Sequence, residues 1–311
     1  MGLFKSAIDK ALEQLEKKAD KVEDSDSEGS LNEIINNGIG ETFNILSGAS
    51  IKKDILLPDN VIGFIGASGG VGTSTIVANT ALQLTRSGYS VLIIDCNVLY
   101  PIQYSYVGYK ASDIHYDFCS FLYGEKRLSD VIQNKNDIHL LTCKNRTIMD
   151  FINLDTEDRA NEIDIAIQRL RILYDIILLD IPNLIVSELV NMMIYKCDRI
   201  HIIWNESIDC ITNTERLIKN LTISGIETSN KIDIILNQRT SVPYSKYPFN
   251  ILDIEIIAVI PFDSSVIECA LKGGIYIRDG YASNRNSKVI VKNIKIIAYN
   301  ILIQGGHSKA E

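Results

Sequence analysis

Residues 66–75 read GASGGVGTST, a glycine-rich stretch between an apolar run and a segment with the spacing of an amphipathic helix. Gly69, Gly70 and Gly72 carry no side chain to obstruct the backbone, so several consecutive N–H groups can point into one concavity. We expect the helix to open at Ser74, where its positive N-terminal end adds to the attraction for anions. The order of strand, glycine turn and helix therefore predicts a phosphate-binding loop.

The side chains of this loop match a standard phosphate-binding loop only in part. Such loops end in a lysine that contacts the β- and γ-phosphates and a Ser or Thr whose hydroxyl ligates Mg²⁺. Ser74 supplies the hydroxyl and is a predicted metal ligand, whereas Thr73 stands where the lysine is expected. The predicted nucleotide-binding residues of the loop are Gly69, Gly70, Val71, Gly72, Thr73, Ser74 and Thr75.

Three further apolar runs carry a polar residue at or near their end. VLIID ends at Asp95, YDIILLD ends at Asp180, and KIDIILNQR contains Asn237. Taken singly, such residues are common in turns and helix caps. Parallel strands, however, bring their carboxyl ends to one edge of a sheet, where nucleotides bind in open α/β folds. The ordered set therefore favours a nucleotide site.

The alternation of short apolar runs with amphipathic stretches defines the fold class. Runs rich in Ile and Val on both faces indicate a buried parallel sheet with helices on each side. We predict an α/β fold, a three-layer P-loop NTPase with a mainly parallel central sheet and a covering helix at 289–304. The predicted strands are 61–65, 91–95, 138–142, 176–180, 200–204, 232–236 and 256–260.

In their order along the chain, these motifs resemble the ParA/MinD family of deviant Walker A ATPases. The resemblance implies that Asp95 and Asn97 form the catalytic switch that meets the attacking water and the metal. It implies that Asp180 orients Mg²⁺ through water and that Asn237 and Pro261 lie beside adenine. ATP and Mg²⁺ are the implied cofactors, and ATP binding is expected to hold a face-to-face homodimer.

Besides Thr73, three positions depart from the family pattern. Ser68 replaces the signature lysine, Ala67 replaces the leading glycine, and Asn97 replaces the second carboxylate of the switch. Loops of this kind resemble the TadZ/CpaE branch, whose members localise pilus and secretion machinery in bacteria. The resemblance therefore implies a localisation or scaffold factor rather than a fast enzyme.

The same departures affect ATP hydrolysis. This reaction depends on charged groups placed next to the charge that develops on the phosphoryl group during its transfer. Groups of this kind carry rate factors of about 10³ or more. We expect slow hydrolysis or none. A basic residue after the strand at 138–142, Lys144 or Arg146, is a candidate replacement for the missing lysines.

The first part of the chain differs in pattern from the rest. Residues 2–23 have the spacing of an amphipathic helix, and 23–30 read EDSDSEGS, which is typical of a flexible acidic linker. We predict this N-terminal region over 1–57, a P-loop domain over 58–304 and a short tail over 305–311. A tethered apolar face suggests docking to an assembly-machine protein or a membrane surface. Packing back onto the domain, or self-association, is the alternative.

Composition and charge narrow the range of partners. The chain of 311 residues carries a net charge of −8, and its six cysteines lack metal-binding spacing. No apolar run reaches the roughly 18 residues of a membrane span, so we expect a cytoplasmic protein, with peripheral membrane association as an option. Acidic proteins bind DNA poorly, which disfavours a partition ATPase that cycles on DNA. A basic run keeps that alternative open: Arg278, Arg285, Lys288, Lys292 and Lys295.

Overall fold

A computed structural model describes residues 59–144, 147–183, 187–223, 225, 231–240, 254–280 and 285–304. The predicted N-terminal helix and linker, the short tail and the candidate residue Arg146 lie outside the described residues. None of the described helices combines the length and apolar character that crossing a membrane requires.

A single eight-stranded sheet forms the centre of the fold, in the order β3-β4-β2-β5-β1-β6-β7-β8. Neighbouring strands are parallel except for the antiparallel pair β3 and β4. The strands are β1 (Val61–Gly66), β2 (Val91–Asp95), β3 (Gln133–Lys135), β4 (Ile138–Leu141), β5 (Ile176–Ile181), β6 (Arg199–Trp204), β7 (Ile232–Arg239) and β8 (Ile256–Pro261).

Eleven α-helices lie in the described parts of the chain, with one short 3-10 turn at Ala111–Asp113. They are α1 (Thr73–Arg86), α2 (Gln103–Val107), α3 (Phe118–Leu122), α4 (Leu128–Val131), α5 (Ile148–Leu154), α6 (Glu157–Leu173), α7 (Glu188–Tyr195), α8 (Ile208–Ile223), α9 (Ser264–Leu271), α10 (Tyr276–Asp279) and α11 (Arg285–Gln304). Helix α1 packs on β2, β5 and α11, whereas α6 and α7 pack on each other and on β5.

The predicted fold class is confirmed, because all predicted strands form in one mainly parallel sheet covered by helices. Strand β5 is buried along its whole length, as its continuous apolar run predicts. The predicted boundaries need small corrections. Helix α1 begins at Thr73 rather than at Ser74, and the covering helix α11 begins at Arg285, four residues before the predicted start. The short edge strand β3 was not predicted, because its sequence QNK is polar.

Parallel pairing decides where the polar residues meet. Asp95 and Asp180 are direct neighbours in the register of β2 and β5. The glycine loop follows β1, which is the other neighbour of β5. One edge of the sheet therefore collects the loop and both aspartates, as the sequence predicts.

Candidate functional site

The glycine loop turns sharply into α1 through two residues with positive φ. Gly70 has a φ of 77° and Gly72 a φ of 90°, a region that favours glycine. A Cβ atom on Gly72 would lie 2.5 Å from the side-chain nitrogen of Asn237. Both the backbone conformation and the close approach of Asn237 therefore require glycine at position 72.

Helix α1 presents its N-terminal end at this turn. The first regular hydrogen bond of the helix runs from the Ile76 N–H to the Gly72 carbonyl at 3.0 Å. Gly72 is the N-cap residue, and no side chain forms a capping hydrogen bond there. The N–H groups of the first turn have no intrahelical partner, so they are available to an anion. Loop and helix end together form a cradle whose chemistry suits phosphate.

A cavity of about 480 Å³ opens beside this cradle, a size within the usual range for small-molecule sites. It brings together all of the site residues predicted from the sequence. These are Gly69, Gly70, Val71, Gly72, Thr73, Ser74, Thr75, Asp95, Asn97, Asp180, Asn237 and Pro261. Apolar side chains from β8, α9 and α11 complete the wall, among them Ile260, Val266 and Ile290.

Asp95 is fully buried and organises the loop that follows β2. Its Oδ2 accepts hydrogen bonds from the N–H groups of Ile102 at 2.8 Å and Gln103 at 2.9 Å, and its Oδ1 accepts from Asn97 at 3.2 Å. Burial, followed by the negative charge of Asp180, raises the pKa of Asp95 to about 7. These contacts give the side chain a structural role, and its catalytic role stays a prediction.

Asp180 stands next to Ser74, the predicted Mg²⁺ ligand. The Ser74 hydroxyl donates to the Asp180 carboxylate, and burial is the main cause that raises the pKa of this aspartate. Two buried carboxylates and a hydroxyl at a phosphate cradle suit Mg²⁺, which takes few protein ligands and keeps waters and phosphate oxygens. The described residues contain no cluster of three or more His, Cys, Asp or Glu that could hold a metal alone.

Two amides at the end of β7 brace the glycine loop. The Asn237 side-chain nitrogen donates to the Val71 carbonyl at 2.8 Å, and that of Gln238 donates to the Gly70 carbonyl at 2.9 Å. With its nitrogen on the loop, Asn237 keeps its amide oxygen as an acceptor, the group that an adenine amino group would require. The predicted contact of Asn237 with adenine stays a prediction, and Gln238 is a loop contact that the sequence did not single out.

A family model described as an AAA domain (AAA_31) matches residues 59–236. The chain belongs to this AAA_31 family. The matched part runs from the first residue described by the structure to the fifth residue of β7. It therefore includes the glycine loop and both buried aspartates of the site.

Two curated proteins are similar to this AAA_31 chain. An uncharacterized ATP-binding protein of Methanocaldococcus jannaschii is 25% identical over 216 residues, which cover 66% of this chain and 74% of the relative. The septum site-determining protein MinD of Thermotoga maritima is 27% identical over 264 residues, which cover 79% of this chain and 89% of that protein.

Solved structures show the same fold. MinD of Pyrococcus horikoshii complexed with Mg-ADP gives a TM-score of 0.66 at 21% identity, over 80% of this chain and 99% of that one. A ParA family ATPase of Chlorobium tepidum gives 0.62 at 23% identity, over 76% and 99% of the two chains. The family match and the MinD relative of Thermotoga maritima support a ParA/MinD-type P-loop ATPase, and the solved structures show the fold. The finer resemblance to the TadZ/CpaE branch stays a prediction.

The AAA_31 site differs in charge from a standard P-loop. Among the described residues that line its cavity, none is a lysine or an arginine. Lys144, a candidate for the missing charge, donates from its ammonium group to the His115 carbonyl at 3.0 Å. The Ser68 hydroxyl lies 3.7 Å from the Cys210 sulfur. The described site thus has a phosphate cradle without a side-chain cation.

Proposed function

We propose that this chain binds ATP with Mg²⁺ and acts as a nucleotide-dependent localisation or scaffold factor, with slow hydrolysis or none. The observation that carries the proposal is the single cavity that combines a glycine cradle, a helix N-terminus and the Ser74–Asp180 pair. Backbone N–H groups of the loop would hold the phosphates. Ser74 would ligate Mg²⁺ directly, and Asp180 would hold one of its waters.

The predicted absence of rapid hydrolysis rests on the missing cations. A hydrogen bond from a lysine to phosphate is worth about 1.5 to 3 kcal/mol, so its loss weakens ATP binding about tenfold to a hundredfold. Binding at millimolar ATP tolerates that loss. Hydrolysis is more sensitive, because the charge that develops on the transferring group has no lysine or arginine of the described cavity wall to stabilise it.

The rim of the cavity supports the proposal of an ATP-dependent homodimer. Tyr100 is 74% exposed, Ile102 43% and Phe262 47%, and all three are among the residues that line the cavity. Large apolar side chains around a binding site favour an interface that covers the site. ATP bound at this rim would add to the surface that a second copy buries.

Residues 2–23 are the proposed recruiting element. Their amphipathic pattern would dock on a membrane-associated protein of a pilus or secretion machine, and the acidic stretch at 23–30 would act as the tether. The chain would then work as a cytoplasmic protein held peripherally at its site of assembly.

A partition ATPase that cycles on DNA is the second candidate, and one surface feature favours it. Arg285, Lys288, Lys292 and Lys295 are all exposed on α11, at spacings that place them on one face of the helix. Arg278, by contrast, is paired with Asp279 at 2.9 Å. The net charge of −8 opposes DNA binding as a general property of the chain.

Analytical ultracentrifugation with and without ATP and Mg²⁺ tests the proposal. A shift from monomer to dimer with the nucleotide supports it. Absence of nucleotide binding at millimolar ATP contradicts it. A gel shift with nonspecific duplex DNA at low salt separates the candidates, since the partition function requires a shift in the presence of ATP.

A further inference from the structure

Gln103, the first residue of α2, connects three elements at the site. Its backbone N–H donates to Asp95 at the end of β2. Its side-chain nitrogen donates to Asp180 Oδ2 in β5 at 2.7 Å and to the Ser74 carbonyl in α1 at 3.0 Å. The side chain is therefore in direct contact with both residues that are proposed to hold Mg²⁺.

The amide oxygen of Gln103 has no hydrogen-bond partner among the described residues, although the residue is fully buried. Buried polar atoms without a partner are rare, and each requires an explanation such as a water or an ion. The oxygen shares its amide carbon with the nitrogen that lies between Ser74 and Asp180. The side chain therefore carries a buried acceptor close to Asp180, although Gln103 is not among the residues that line the cavity.

We propose that Gln103 is a positioning residue for Mg²⁺. Its amide nitrogen holds the Asp180 carboxylate at the first turn of α1, and its amide oxygen accepts a hydrogen bond from a buried water. This inference rests on the proposed function, because it requires that ATP and Mg²⁺ bind in the cavity. Outer groups of this kind orient the primary ligands of a metal site.

The neutral amide suits this position. Asp95 and Asp180 already place two carboxylates at adjacent register positions, and a third acid would add repulsion in the nucleotide-free protein. A lysine would stabilise the carboxylates but would repel the ion. An amide donates to Asp180 and accepts from water without adding charge of either sign.

The first test is a Gln103→Met variant, which keeps the volume and removes both polar ends. The affinity for a fluorescent ATP analogue is measured in EDTA and in Mg²⁺, and the ratio of the two gives the gain from the metal. We expect this gain to fall about tenfold to a hundredfold, the usual effect of removing an outer-shell partner. Affinity in EDTA should stay within about twofold of wild type.

Gln168→Met is the matched control. The Gln168 amide also donates to an aspartate at 2.7 Å, but that aspartate, Asp164, lies on α6 and does not line the cavity, whereas Asp180 does. This variant should leave the gain from Mg²⁺ unchanged. Circular dichroism of all variants reports whether each chain folds.

Gln103→Glu is the second test, because it removes the donor to Asp180 and also adds a charge. We expect the gain from Mg²⁺ to fall as in the Met variant, and the added negative charge to weaken binding in EDTA by repelling the phosphates. Electron paramagnetic resonance of Mn²⁺ with each variant gives the metal affinity without reference to hydrolysis.

The outcomes distinguish a failure of the proposed ATP and Mg²⁺ binding from a failure of the role of Gln103. Wild type that binds no nucleotide in EDTA or in Mg²⁺ refutes the proposed function itself. Wild type that gains affinity from Mg²⁺, with Met and Glu variants that keep the same gain, overturns the role of Gln103 alone. Equal losses in EDTA and Mg²⁺ also overturn it, because they indicate a general support of the loop.

Discussion

Replacing Thr73 with lysine restores the cation that the glycine loop lacks, and we predict that it strengthens ATP binding. Thr73 is the first residue of α1 and lines the cavity. Its side-chain oxygen lies 2.7 Å from the position that a Cβ on Gly66 would occupy. Glycine at position 66 thus leaves room at the base of the longer side chain.

The expected gain follows from electrostatics and side-chain entropy. Unit charges 4 Å apart near a protein surface attract by about 4 kcal/mol. Ordering a lysine side chain costs about 2 kcal/mol. The difference of about 2 kcal/mol corresponds to an ATP affinity about thirtyfold higher. Hydrolysis should stay slow, because Ser68 and Asn97 still lack the charges of the family pattern.

Titration calorimetry of Thr73→Lys with ATP and with AMP measures this effect, and Thr73→Met is the control for side-chain length. The gain should appear with ATP and not with AMP, since a lysine at this position contacts the β- and γ-phosphates. Equal affinities of the Lys and Met variants would refute the placement of the phosphates at this loop. So would a gain of the same size with AMP.

Four further predictions address separate parts of the chain. Asp180→Asn should reduce the Mg²⁺-dependent part of ATP binding about tenfold to a hundredfold, as seen by calorimetry in Mg²⁺ and EDTA. His201 is fully buried, and burial lowers its pKa from 6.5 to about 4. Because His201 resists protonation in the folded state, the free energy of unfolding should fall by about 3 kcal/mol as the pH drops from 6.5 to 4. Urea titrations at each pH measure this change. The His201→Leu variant should not show this loss of stability at low pH. Lys292→Glu combined with Lys295→Glu should abolish any DNA gel shift at low salt, and an unchanged shift would exclude α11 as the DNA surface. Deletion of residues 1–30 should leave ATP affinity and the melting temperature unchanged while it abolishes localisation in cells, and a fall of several degrees would contradict the tether.

Much of the architecture was predictable because the sheet is parallel and buried. The run IILLDI has apolar residues on both faces. Such a run is typical of a strand at the centre of a sheet that helices cover on both sides. Parallel pairing then fixes where Asp95 and Asp180 meet, although 85 residues of chain separate them. The proximity of Asp95 and Asp180 was therefore predictable from a parallel sheet whose strands end in polar residues.

The role of Gln103 was not predictable, because it depends on the path of a loop. Eight residues after Asp95, the chain returns so that Gln103 meets the carboxylate of Asp95 through its backbone and that of Asp180 through its side chain. Neither contact leaves a periodic signal, and a single glutamine has no motif. The orientation of Asn237 is similar, because its bond to the Val71 carbonyl follows from the close approach of Gly72.

Nucleotide recognition and catalysis place different demands on this fold. The phosphate cradle consists of backbone N–H groups whose directions are set by Gly70, Gly72 and the start of α1. Side-chain substitutions at neighbouring positions leave these directions intact, as long as the glycines remain. Hydrolysis needs charges on side chains, and each can be lost by a single substitution without disturbing the cradle. Loss of Mg²⁺ coordination, in contrast, would leave Asp95 and Asp180 buried together without a cation, at a cost in free energy. The presence of Ser74, Asp180 and the two glycines therefore fits the proposed binding of nucleotide and metal better than rapid hydrolysis.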